Sequence, residues 1–204
     1  MMELDIWSHI ATFIESNKDR CQLLMTHKEI LKANIYFDEQ INVEKIIRLH
    51  FFDRFRNISN VYYLELLPKF VTKISFCPGF HASLTDKLPS TVTHISFPKM
   101  LKKPSIGFLP PYITHLILSD VITCDDMTAK NLILCEDYND FISNRISNHV
   151  RNLTFHENLK HLYKDCIPVW VEEVTIIGNP TVERLQHIQQ FIPKNCKLLV
   201  RSEY

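Results

Sequence analysis

The chain has 204 residues, with 23 basic and 23 acidic side chains and a formal net charge of zero. Hydrophobic residues make up 46%, enough for a sizeable core, yet there are only three glycines, Gly79, Gly107 and Gly178, where average usage gives roughly fourteen. Loops that cradle phosphates need clustered glycines for close backbone approach, so Rossmann- and P-loop-type nucleotide folds are excluded. The balanced charge of both halves, 8 basic against 10 acidic residues before Leu66, argues against a nucleic-acid binder.

The first predicted element is a helix over 4–14. Leu4, Ile6, Trp7, Ile10, Phe13 and Ile14 recur at spacings of three and four, with Asp5, Ser8, His9, Thr12 and Glu15 on the other side. SNKD interrupts it and offers capping oxygens to a second short helix through Cys21, Leu23 and Leu24. Thr26 and Glu29 form a capping box that predicts a third helix over 27–33. A connector over 38–54 follows, with a helix expected at 43–50.

From Leu67 a repeat takes over. LPKFVTKISF, LPSTVTHISF and LPPYITHLIL begin at Leu67, Leu88 and Leu109, 21 residues apart each time, and weaker copies begin at Ile146 and Ile167. The clear repeats span 67–87, 88–108, 109–128, 146–166 and 167–180. Aliphatic or aromatic residues hold positions 0, 3 and 5 of each segment, as in Val71/Ile74/Phe76, with Ala129/Leu132/Leu134 as a degenerate copy and Phe55/Ile58 as an earlier one. Positions 3 and 5 share one side of a strand, so the pattern predicts one short parallel strand per repeat, stacked into a solenoid because no single repeat can bury its apolar face. Positions 2 and 4 then face outward: Lys73/Ser75, His94/Ser96, His115/Ile117, Asn131/Ile133, Asn152/Thr154 and Glu173/Thr175. A helix over 182–191 and a strand over 198–200 close the array. The fold class is therefore α/β: short N-terminal helices, then a leucine-rich-repeat-like solenoid with a curved parallel sheet over 55–204.

Chemistry-bearing motifs are scarce. No apolar run reaches the roughly 18 residues of a membrane span, and MMELDIWSHI lacks the basic region and cleavage site of a signal peptide. The six cysteines are scattered, which reads as free thiols in a reducing compartment. CxxC, HExxH and GxSxG are all absent. His94 and His115 would sit on neighbouring strands, but two histidines without a third ligand are weak grounds for zinc. No catalytic residue, metal or cofactor is expected.

The repeat LPxxVTHIxF, followed by FHASL at 80–84 or LKKPS at 101–105, resembles the FNIP repeat, a short relative of the leucine-rich repeat found in amoebae and the large viruses that infect them. LDIWSHIATFIESNKDRCQLLMTHKEI resembles an F-box and sets 1–37 apart as a helical block. Asp5 stands where that motif usually has a proline. The order of the two is that of F-box and FNIP repeat-containing proteins. The resemblance implies docking of Leu4, Ile6, Trp7, Ile10, Phe13, Leu23 and Leu24 on a Skp1-type adaptor of a cullin–RING ubiquitin ligase. It also implies capture of a protein target by the outward row Lys73, Ser75, His94, Ser96, His115, Ile117, Asn131, Asn152, Thr154, Glu173 and Thr175. The chain would be monomeric outside that complex and work in the cytoplasm, the host's if it is viral. The competing expectation is a plain interaction solenoid whose first helices are only a cap.

Overall fold

Each repeat contributes one strand to a single parallel sheet. In the computed structural model, residues 2–26, 30–80, 84, 88–99, 109–119, 128–136, 138, 146–160 and 162–202 are described, the side chains of 2–5 excepted. The strands are β1 (Ile41–Asn42), β2 (Asn57–Val61), β3 (Lys73–Phe76), β4 (His94–Phe97), β5 (His115–Leu118), β6 (Asn131–Leu134), β7 (Asn152–His156), β8 (Glu173–Ile177) and β9 (Lys197–Arg201). They lie side by side in chain order, all parallel.

The register follows the repeat. Ile58, Ile74, Ile95, Leu116, Leu132, Leu153 and Val174 stand opposite one another across seven strands and are all buried. Phe55, Val71, Val92, Ile113, Ala129, Val150 and Val171, the position-0 residues, are buried as well. At position 5, Phe76 stacks on Phe97 with ring centroids 5.0 Å apart. Each fully buried aliphatic or aromatic side chain stabilises by about 1.5–3 kcal/mol, and parallel strands need such continuous cover.

Proline sets the turn before β3, β4, β5 and β8. Val71, Val92, Ile113 and Val171 donate their N–H groups to the carbonyls of Pro68, Pro89, Pro110 and Pro168, at 3.0–3.2 Å. Proline is thus the first residue of a four-residue turn, where only its carbonyl is needed and its missing N–H costs nothing. In three repeats the residue before the valine or isoleucine ties its turn to the preceding repeat. Thr91 Oγ1 donates to the Val71 carbonyl (2.7 Å), Tyr112 Oη to Leu88 (2.9 Å) and Trp170 Nε1 to Ser147 (3.1 Å).

Two N-terminal helices, α1 (Met2–Thr12) and α2 (Asn17–Thr26), precede the sheet. Of the expected third helix, residues 27–29 lie outside the described residues, and Ile30–Lys32 form a single 3-10 turn. The helix expected over 43–50 is not formed. Asn42 instead caps a 3-10 turn, Val43–Lys45, its Oδ1 accepting from Glu44 N at 2.9 Å. The physical reason is nonlocal: Ile41 and Asn42 pair with Ile58 and Ser59, and Phe37 bridges Phe55 and stacks on it at 4.5 Å. The sheet therefore starts inside the stretch read as a connector. The Arg54 guanidinium clips the N-terminal segment to it by donating to the carbonyls of Leu31, Ala33 and Ile35.

At the other end, helix α3 (Val182–Gln189) is capped by Thr181, whose Oγ1 accepts from Arg184 N at 3.2 Å. The Arg184 side chain donates to the carbonyls of Glu157 and Leu159. β9 then pairs with β8 over five residues. Gly178, between β8 and α3, has φ +121°, and a Cβ there would lie 2.7 Å from Glu157 Cδ; glycine is required at this position. Among the described residues no helix is long and apolar enough to cross a membrane.

Candidate functional site

Two surfaces bring the predicted residues together. The first is the open side of the sheet, where alternation puts positions 2 and 4 opposite the core. Register places Lys73, His94, His115, Asn131, Asn152, Glu173 and Lys197 in one row. Ser75, Ser96, Ile117, Ile133, Thr154, Thr175 and Leu199 form the next row. Lys73 is exposed, and the others from Ser75 through Glu173 are half-buried, with one correction: Thr175 is only 6% exposed. It lies between Thr154 and Leu199 because β9 extends the sheet past it, so it does not belong to the accessible row.

The row is internally bonded on one side. Asn152 Nδ2 donates to Asn131 Oδ1 (2.7 Å), and Asn131 Nδ2 donates to the Thr114 carbonyl (3.1 Å). Glu173 pairs with Lys197 at 3.2 Å. On the other side His94 and His115 stack, their rings 6° from parallel with centroids 4.0 Å apart. Thr93 Oγ1 lies 2.8 Å from His94 Nδ1, and Thr114 Oγ1 lies 2.8 Å from His115 Nδ1.

Burial, then the neighbouring His115 and Lys73, push His94 down to about 4. His115 is lowered by burial and by Lys73. Both rings are therefore neutral at physiological pH. Their stacking also bears on a shared metal ion. A ligated ion lies in the plane of each imidazole, and two parallel planes at stacking distance have no common point, so this arrangement cannot chelate one ion through both rings.

The second surface runs along α1 into the turn that follows it at Phe13, and here the predicted residues separate. Ile6, Ile10 and Phe13 are 54%, 39% and 74% exposed, a continuous apolar stripe at helical spacing. Trp7 and Leu23 are partly buried against the core, and Leu24, at 1% exposed, belongs to it. Leu24 is thus a core residue rather than a surface one, because only one of two adjacent leucines can share the outward side of a helix. The Leu4 side chain lies outside the described residues. Met25 on α2 adds to the exposed apolar surface.

Sequence reasoning missed a third feature. A cleft of about 420 Å3 is lined by Val43, Glu44, Ile47, Arg48, Asn60, Tyr62, Tyr63 and Leu66. It opens where the β2–β3 register shifts between Ile58 and Val61, with Asn60 left-handed at φ 60°. The adjacent Tyr62 and Tyr63, both exposed, are the signal that could have found it. Among the described residues, Cys21, Cys77, Cys135, Cys166 and Cys196 are free thiols.

Comparison with known proteins found no matching family model, no matching curated protein and no matching solved structure.

Proposed function

We propose that the chain is a non-catalytic substrate receptor of a Skp1–cullin–F-box type ubiquitin ligase. The α1–α2 segment acts as the F-box, the repeats as an FNIP-type, leucine-rich-like solenoid, and the curved sheet's open side as the target-binding face. The observation that carries this reading is the two-sided character of α1. Trp7 and Ala11 pack inward, while Ile6, Ile10 and Phe13 stand in solvent at helical spacing. Such a stripe suits a helix docking into a hydrophobic groove. Catalysis would belong to the ligase, and this chain would supply proximity by holding a target near the conjugating enzyme, in the cytoplasm.

The reading is tested by mixing the purified full chain with a Skp1-type adaptor and following both by size-exclusion chromatography. Co-elution as a stoichiometric complex is expected; separate elution at micromolar concentrations overturns it.

The burial of Leu24, Ala11 and Ile30 in the common core favours a second reading, in which the N-terminal helices serve only as the solenoid's cap. Under that reading the exposed stripe on α1 has no partner, and the chain is a general protein-interaction module.

A further inference from the structure

The threonine hydroxyls beside the two histidines bear on which way the rings present their protons. The Thr72 carbonyl already accepts two N–H groups, from Thr93 (2.9 Å) and His94 (3.1 Å), and the Thr93 carbonyl accepts those of Thr114 (2.9 Å) and His115 (3.0 Å). Each of these oxygens therefore serves two amides, and the threonine hydroxyl beside it is a third and longer contact. Thr93 Oγ1 lies 3.4 Å from the Thr72 oxygen but 2.8 Å from His94 Nδ1. Thr114 Oγ1 lies 3.2 Å from the Thr93 oxygen but 2.8 Å from His115 Nδ1. The shorter contact in each case is the one to the ring, which favours donation of each hydroxyl to Nδ1. That donation leaves both rings as the Nε2–H tautomer, with two parallel donors directed away from the threonines.

Lys73, next in the row, adds an ammonium with no carboxylate partner among the described residues. Glu173, the carboxylate of the same row, is already paired with Lys197. With the Asn131 and Glu173 oxygens of the row already engaged, these three adjacent donors are complementary to an anionic acceptor from outside. We propose that the open face receives an acidic, extended segment of the partner protein, a carboxylate of which is held by Lys73 Nζ and the Nε2–H groups of His94 and His115. This rests on the reading of that face as the target-binding surface.

The test uses the full-length chain, 15N-labelled, with blocked hexaglutamate as probe and blocked hexaglutamine as control. Long-range imidazole spectra at pH 7.5 should show Nδ1 unprotonated and Nε2 protonated in both histidines. Hexaglutamate should shift those resonances. Lys73→Gln, an exposed change that leaves the core alone, should weaken binding by roughly threefold, the scale of an exposed ion pair. His94→Ala/His115→Ala, which removes both ring donors, should weaken it as well. An Nδ1–H tautomer, equal binding of hexaglutamine, no hexaglutamate shift, or an affinity indifferent to Lys73→Gln would each overturn the proposal. No adaptor enters this experiment. A negative result beside an intact adaptor complex removes only the acidic partner, and a positive result without adaptor binding removes only the ligase role.

Discussion

The Asn152 side-chain amide donates to the side-chain oxygen of Asn131 at 2.7 Å, and Asn131 passes the chain on to the Thr114 carbonyl at 3.1 Å. One amide ladder thus ties β5, β6 and β7 together on the side of the sheet that faces away from the core. It crosses the sheet where the sequence repeat is most degenerate, at the Ala129/Leu132/Leu134 copy. Asn131→Ala removes both bonds and leaves the Asn152 amide unmatched. A loss of about 1–2 kcal/mol is expected, since each net bond is worth roughly 1 kcal/mol. Asn152→Ala, which removes only one, should cost less. Urea midpoints of the two variants check the order, and equal losses would count against the ladder.

The histidine pair makes stability depend on pH with a definite sign. Burial, His115 and Lys73 hold His94 at about 4, below the ordinary 6.5, and His115 is lowered too. Between these values the unfolded chain binds more protons than the folded one, so stability rises with pH through that window and is lost on acidification from 6.5 towards 4. In urea titrations at pH 7, 5.5 and 4.5, the wild type should lose more stability on acidification than His94→Gln/His115→Gln. Carboxylate titration is common to both proteins, and identical profiles would show that the rings titrate normally.

Gly178 tests the closing segment. Its φ of +121° and the 2.7 Å approach of Glu157 Cδ to a would-be Cβ make Gly178→Ala costly by about 1–3 kcal/mol. Adding Glu157→Ala should restore only part of this, because the contact is relieved while the backbone conformation stays unfavourable. Full recovery would mean that the contact alone mattered.

Arg54 tests how the N-terminal segment is held. Its guanidinium serves the carbonyls of Leu31, Ala33 and Ile35; the Ala33 oxygen also accepts from Ile35 N, so Arg54→Ala strands those of Leu31 and Ile35, at about 1–3 kcal/mol for a buried unsatisfied group. Hydrogen exchange should then show faster exchange at the Ala33 and Ile35 amides, with β5 to β8 unchanged. A uniform loss of protection across the sheet would contradict a local clip.

The sheet was legible in the sequence because its signal is local and periodic. Val, Ile and Phe at positions 0, 3 and 5 fix which side of each strand is buried, and a one-residue slip would expose all of them. The histidine, asparagine and serine rows followed from the same arithmetic. What escaped was nonlocal. Val43, Ile46 and Ile47 have helical spacing, yet the pairing of Ile41 with Ile58 and the Phe37–Phe55 stack draw that stretch into the sheet. Leu23 and Leu24 look equivalent in sequence, and only packing separates the partly buried residue from the core one. Thr175 had the pattern of an outward residue, and the parallel docking of β9, with Leu199 beside it, buried it. The threonine hydroxyls 2.8 Å from Nδ1 of each histidine are contacts that no motif announces.

The exposed stripe along α1 carries the proposed adaptor role, and the affinity of the full chain for a Skp1-type adaptor tests that role most directly. Ile6→Asp/Ile10→Asp/Phe13→Asp changes only solvent-exposed side chains, and so should leave the melting temperature close to that of the wild type. The wild type is predicted to bind the adaptor, and the triple variant to lose that binding by at least about a hundredfold, the effect of removing a central apolar hot spot. Unchanged affinity in a folded triple variant, or no binding by the wild type, would contradict the proposed role.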